Sequence, residues 1–250
     1  MAKQVFLSAH RSYREAITPQ KGEVTFQIVV EQTDLFVTAG RDLSEPMLEL
    51  VHSLRGELKN FMLLNPGFRE SLRPVPAPDT APRVAREMAR AAALCNVGPM
   101  AAVAGTFAQL VADHFASASP DIIVENGGDI FIHSTRERVV ALLGDPASGA
   151  RLGLRLKKND FPVSLCASSA FIGPSLSLGQ GELVVVRSRS GAFADAAATA
   201  LANLIDSGDD LDLVLARARK MAPLGLEGVF AQAGGKLGVW GKMELVALEG

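Results

Sequence analysis

In the segment AFADAAATALANLI, residues 192–205, alanine and leucine leave one carboxylate and one hydroxyl, Asp195 and Thr199. Four residues apart on a helix, they lie one turn from each other on the same side, so their oxygens can converge on one point. Two hard oxygen donors at that spacing suit Mg²⁺, which takes one or two protein oxygens and keeps its other positions for water or phosphate oxygens. The pair also has a structural reading. An Asp near a helix start is favourable against the helix dipole, and a helical Thr can bond back to the carbonyl one turn earlier.

Three other segments carry chemistry of this kind more weakly. In PDIIVENGGDIFI, from Pro120 onward, a strand runs into Asn126-Gly127-Gly128-Asp129 and emerges as a second strand. The glycines suit either a tight hairpin or the close approach of a ligand to bare backbone. In GPMAAVAGTFAQLVADHF, residues 98–115, small residues at 101, 102, 104, 105 and 108 leave one helix side nearly bare, for another helix or for a flat cofactor ring. CASSAFIGPSLSLGQG, residues 166–181, is rich in serine and glycine, as are surface loops and loops that wrap phosphates. His10, His52, His114 and His133 form no HxH or HExxH arrangement, and no GxSxG or P-loop is present.

The elements that must position these residues follow from periodicity and punctuation. Val24–Glu31 and Leu35–Ala39 read as a hairpin around a polar turn that includes Asp34. A helix opens at Asp42, Ser44 and Pro46 and turns Leu50, Val51, Leu54, Leu58, Phe61 and Met62 to one side. The four prolines of residues 73–82 exclude regular structure there and read as a rigid connection or a lid. Helices are expected from Pro82 to about Leu94 and from about Met100 to Phe115, then strands at Asp121–Glu125 and Ile130–His133. Strands near Val139–Leu143, Leu152–Leu156, 163–167 and Glu182–Arg187 follow. Helices at 192–205 and 209–221 and strands at 228–232 and 237–240 complete the chain. The order is that of α+β proteins with antiparallel sheet covered by helices, and it repeats as two units, about 20–135 and about 138–250, within one domain of residues 1–250.

Composition narrows the function classes. With 250 residues, 48% of them hydrophobic, the chain can bury a full core. The net charge of −2 comes from mixed signs with no sustained basic block, which argues against a nucleic-acid partner. The first residues lack a secretory h-region and no run is long and apolar enough for a membrane span, so a cytoplasmic protein is expected. Cys95 and Cys166, far apart and without a CxxC companion, read as two buried thiols.

Taken in order, GPMAAVAGTFAQLVAD, IVENGGDIFI, VALLGDP, the SS of the serine-rich loop and ELVVVRSRSGAFADAAATALAN resemble the ordered blocks of the ApbE-like superfamily, over about residues 98–206. Its best-understood members are FAD:protein FMN transferases. The resemblance implies a T-fold-like α+β architecture of two related β-β-α-α-β-β units. It also implies a Mg²⁺ site made by Asp195, Thr199 and a backbone carbonyl around Val103, and a bound flavin nucleotide, FAD or FMN. Asn126, Gly127, Gly128 and Asp129 would lie against that nucleotide, and Gly105, Ser168 and Ser169 would also bind it. The implied activity is FMN transfer or cleavage of the FAD pyrophosphate, the alternative being a non-catalytic protein that binds a flavin, a pterin-like ring or another metabolite. The implied partner is a small molecule, with a homo-oligomer left open. Two departures stand out: the transferases carry a Lys at the position of Ala104, and a His-containing DPxTG segment where this chain has FIGPSLSLGQG.

Overall fold

The computed structural model describes residues 19–142, 151–168 and 183–248. β1 (Val24–Val30) and β2 (Thr33–Ala39) form the expected hairpin. Its turn is Glu31-Gln32 rather than the neighbourhood of Asp34, which lies inside β2 and accepts from Gln27. Glu31 sits in the left-handed region at φ 53°, unusual for a non-glycine residue, and its carboxylate is gripped by Arg55 and Lys59.

α1 (Ser44–Leu64) buries Met47, Val51, Leu54, Leu58 and Phe61, the stripe its spacing predicts. A short α2 (Pro66–Glu70) follows, and the proline-rich stretch then runs without regular structure to α3 (Arg83–Cys95). The helix expected from Met100 begins instead as a 3-10 turn, Pro99–Ala102, and becomes α4 at Val103–Phe115. β3 (Ile122–Asn126) and β4 (Asp129–His133) pair through the Asn126–Asp129 turn.

In the second half, β5 (Arg138–Leu142) and β6 (Arg151–Leu156) precede β7 (Val163–Ser168) and β8 (Leu183–Ser188). α5 (Gly191–Ala202), α6 (Leu211–Met221), β9 (Leu226–Ala233) and β10 (Lys236–Gly241) follow. A last strand, β11 (Glu244–Leu248), was not expected from the sequence.

The strands form an antiparallel eight-stranded sheet in the order β1-β2-β3-β4-β7-β8-β9-β10, and a three-stranded one, β11-β6-β5. The large sheet is therefore built by β1–β4 and β7–β10, each group split by helices, so its second group starts at Val163 rather than near residue 138.

Alternation along the strands assigns the two faces. Val124, Phe131, Cys166, Val184 and Val186 join the helices in one core, while Ile123, Ile132, Leu165, Val185 and Phe230 pack with Val140, Leu154 and Leu156 of the small sheet in another. The result is an α+β fold, helices on one face of an antiparallel sheet and a second sheet on the other. Among the described residues no single helix is long and apolar enough to cross a membrane.

Candidate functional site

The site begins with two helices that touch through bare backbone. At the crossing of α4 and α5, a Cβ on Gly105 would stand 2.3 Å from the Gly191 carbonyl oxygen, and a Cβ on Gly191 would stand 2.3 Å from the Gly105 oxygen. Neither residue can be anything larger than glycine without moving a helix. Gln109, one turn after Gly105, accepts the Gly191 amide at 2.7 Å and locks the joint from the side.

This contact fixes Asp195. α5 is capped by Ser190, whose hydroxyl accepts from the Phe193 amide at 3.2 Å, and no acidic residue lies in its first turn, so Asp195 does not serve its own helix dipole. Its carboxylate reaches across the crossing to accept from the Gly105 amide at 2.9 Å and from the Ala104 amide, two otherwise unpaired donors at the start of α4. Thr199 is half-buried one turn further on. Among the described residues its hydroxyl makes no bond back to the Asp195 carbonyl, whereas Thr106 bonds back to Ala102. Both structural explanations offered for the Asp195–Thr199 pair therefore fail in the form the sequence suggests, and a different one, capping of a neighbouring helix, applies to Asp195.

Three strands end beside this helix pair. Asn126 of β3, Asp129 of β4 and Cys166 and Ser168 of β7 lie near the same end of adjacent strands and on the helix-facing side. Asn126 donates to the Ala104 carbonyl at 3.1 Å, joining the sheet to the first turn of α4. Asp129 is buried and accepts from the Ala167 amide at 3.2 Å. Gly127 and Gly128 both have positive φ, 67° and 107°, as a two-residue hairpin requires, and the space beside each is open. The Gly128 amide donates to Glu125 at 2.7 Å. Ser169, the remaining serine-rich loop, and Asp145 and Pro146 of the VALLGDP block lie outside the described residues.

The electrostatics of this corner are unfavourable to negative charge. Burial pushes the Asp129 carboxyl up to about 7, with the Glu125 charge adding to the rise and bonds from Cys166 and the Ala167 amide opposing it. Burial and the Asp129 charge hold Asp195 well above the usual carboxylate range despite its two amide donors. The Cys166 thiol is pushed up by burial and by both aspartates. It lies 3.3 Å from the Ser164 hydroxyl and 3.7 Å from the Gly191 carbonyl. Cys95, also buried, is pushed up to about 12 by burial. Both cysteines are free thiols, and neither is set up as a nucleophile.

Beside the corner opens a cleft of about 860 Å³, reached by Val103, Ala104 and Asn126 and otherwise walled by α1, the β1–β2 turn, Arg69 of α2 and Met100. Sequence reasoning missed most of this wall. Arg55, Lys59 and Arg69 stand on or after a helix whose buried stripe alone was readable. Cys166 and Gln109 were missed as well, although Cys166 alternates with Ser168 along β7 and Gln109 follows Gly105 by one turn. Among the described residues no group of three or more His, Cys, Asp or Glu is arranged to hold a metal ion.

A family model described as "AbpE bacteria" matches residues 15–228. The chain belongs to this family. It is thereby a member of the ApbE-like superfamily, and every candidate residue above lies inside the matched span. Among relatives of this ApbE-like chain, a UPF0280 protein of Methanocaldococcus jannaschii is 34% identical over 226 residues, covering 88% of this chain and 92% of that one. A UPF0280 protein of Methanopyrus kandleri is 37% identical over 202 residues, covering 79% and 80%. The flavinyl transferase ApbE of Pseudomonas stutzeri, in its apo form, superposes with a TM-score of 0.57 at 12% identity, covering 87% of this chain and 94% of that one. The ApbE protein of Thermotoga maritima gives 0.53 at 12% identity, covering 86% and 96%. At such identities the likeness is one of fold.

Proposed function

We propose that this ApbE-like protein binds a flavin nucleotide, FAD in the first place, next to a Mg²⁺ site, and transfers its FMN part or cleaves its pyrophosphate. The observation that carries the reading is Asp195: a half-buried carboxylate, opposed by the buried carboxylate of Asp129, with a hydroxyl one turn away that has no hydrogen-bond partner among the described residues. Such a corner is relieved by a proton or by a cation. The donors are hard oxygens, and they are few, which fits Mg²⁺ rather than a transition metal with a full set of protein ligands.

Asp195 and Thr199 would hold the ion, together with a carbonyl near Val103. Bound there, Mg²⁺ would supply charge neutralisation and Lewis acidity toward a pyrophosphate. The chain's own residues do the positioning. The amides of Ala104 and Gly105 orient the Asp195 carboxylate, and Asn126 pins the Ala104 carbonyl. The open backbone at Gly127 and Gly128 lets a ligand approach the sheet end, with Asp129 and Ser168 beside it.

Calorimetric titration with FAD, in Mg²⁺ and again in EDTA, tests this directly. Wild-type protein should bind FAD in Mg²⁺ and lose most of that affinity in EDTA. Asp195→Asn and Thr199→Val should lose the Mg²⁺ dependence while keeping the wild-type circular dichroism. Binding indifferent to EDTA would remove the metal from the proposal, and no binding under either condition would remove the flavin.

A second reading, binding without chemistry, is favoured by one observation. Asp195 already has a structural task as the cap of α4, which would preserve it without catalysis. Release of AMP from bound FAD separates the two.

A further inference from the structure

The cleft beside α1 has two kinds of wall. Met62, Met100 and Phe107 supply apolar lining, while Arg55, Lys59 and Arg69 bring three cations against one carboxylate, Glu31. That carboxylate is shared. Lys59 Nζ lies 2.5 and 2.7 Å from its two oxygens and Arg55 Nη2 lies 2.7 Å from one of them. Arg55 spends another donor on Thr33 at 2.5 Å, and its Nε is buried with no partner among the described residues. Arg69 is exposed and has no carboxylate or other hydrogen-bond partner among the described residues. Among the described residues the wall is thus two positive charges in excess.

We infer that this wall is an oxyanion subsite. The cleft takes a ligand whose apolar ring lies along Met62, Met100 and Phe107 and whose phosphate group is held by Arg69 and Lys59. Guanidinium and ammonium donors at the rim of an apolar pocket give that combination of orientation and specificity. Lys59 is free to exchange, because Glu31 keeps Arg55 as its counter-ion when the lysine turns to the ligand. Arg55 therefore acts as a positioning residue for Glu31 and the hairpin turn. The cations stand on α1 and α2, and neither Asp195 nor Asp129 is among the residues that line this cleft, so the subsite is distinct from the carboxylate corner. The inference deepens the flavin-nucleotide reading, on which it rests for the identity of the ring but not for the anion.

The test compares FMN with riboflavin, which differ by one phosphate, and adds inorganic pyrophosphate as a probe without a ring. All three are titrated, in EDTA and again in Mg²⁺, into the full chain, its Lys59→Gln/Arg69→Gln variant, and a Lys236→Gln control on the far edge strand. We expect wild type and control to bind FMN roughly tenfold more tightly than riboflavin, the worth of one charge-assisted hydrogen-bond group. The double variant should bring the two ligands to within about twofold, with riboflavin affinity unchanged. Equal affinities in wild type, or a preference for FMN that survives in the double variant, would overturn the subsite while leaving a flavin site in place. Pyrophosphate binding that is lost in the double variant, with no flavin bound at all, would sustain the subsite and overturn the flavin. Neither flavin nor pyrophosphate bound to wild type would end both.

Discussion

The corner around Asp195 and the cleft beside α1 meet at the Asn126–Ala104 hydrogen bond and differ in charge, burial and freedom. In the corner, Asp129 and Asp195 are packed against a thiol and two helix-start amides, with no cationic side chain among the described residues to pair them. In the cleft, Arg55 and Lys59 share one carboxylate, Arg69 has none among the described residues, and Lys59 and Arg69 are exposed. The corner is held rigidly and is short of positive charge. The cleft has exposed cations and is short of negative charge. One ligand bearing both a cation and an anion would answer both shortages, which is what a metal–phosphate complex is.

The comparison breaks most severely if the corner is not rigid. Gly105→Ala puts a methyl 2.3 Å from the Gly191 carbonyl and 2.8 Å from the Asp195 Cβ. It should destabilise the protein by about 3 kcal/mol, read as a lowered denaturant midpoint. An unchanged midpoint would show that the helices part easily and that Asp195 is not fixed by their contact.

A smaller effect sharpens the electrostatic half. Asp129 is raised from its ordinary 3.8 to about 7 in the folded state, so the fold binds more protons than the unfolded chain between those values. Its contribution to stability is present in full below the lower value and is lost as pH rises through the upper one. In EDTA, the melting temperature should fall as pH rises from 4 to 7, and Asp129→Asn should reduce that slope, leaving the share that Asp195 contributes. A slope unchanged in the variant assigns it to another group.

The smallest effect concerns the boundary. Asn126→Ala removes the bond to the Ala104 carbonyl and should cost about 1 kcal/mol in the same denaturant measurement. It should also weaken ligand discrimination on both sides of the boundary. A variant that binds like wild type would show that the two regions are independent.

What could be read from the sequence was whatever repeats locally. The buried stripe of α1, the glycine turn between β3 and β4 and the small-residue faces of α4 and α5 are patterns within a few turns of chain. The class of fold followed from the order of the elements, and the family from ordered sequence blocks, three of which include the α4, β3–β4 and α5 patterns. Contacts between distant segments were not legible. Asp195 finds its donors 90 residues away at Gly105, and Asn126 and Ala104 are 22 apart. β5 and β6 look like strands of the main sheet by composition, and only their pairing with β11 places them in the second sheet. The turn at Glu31 escaped notice because a glutamate at positive φ is a poor turn residue on its own terms and is held there by Arg55 and Lys59.

The Gly105–Gly191 joint has a mechanical consequence. Where side chains separate two helices, a rotamer change can absorb a misfit between them. Here peptide meets peptide, and there is nothing soft in between. A tilt of α5 that shifted Asp195 would be passed on, without slack, to the first turn of α4 and so to the Val103 and Phe107 wall of the cleft. The joint works as a rigid lever, and whatever presses on one arm is felt on the other.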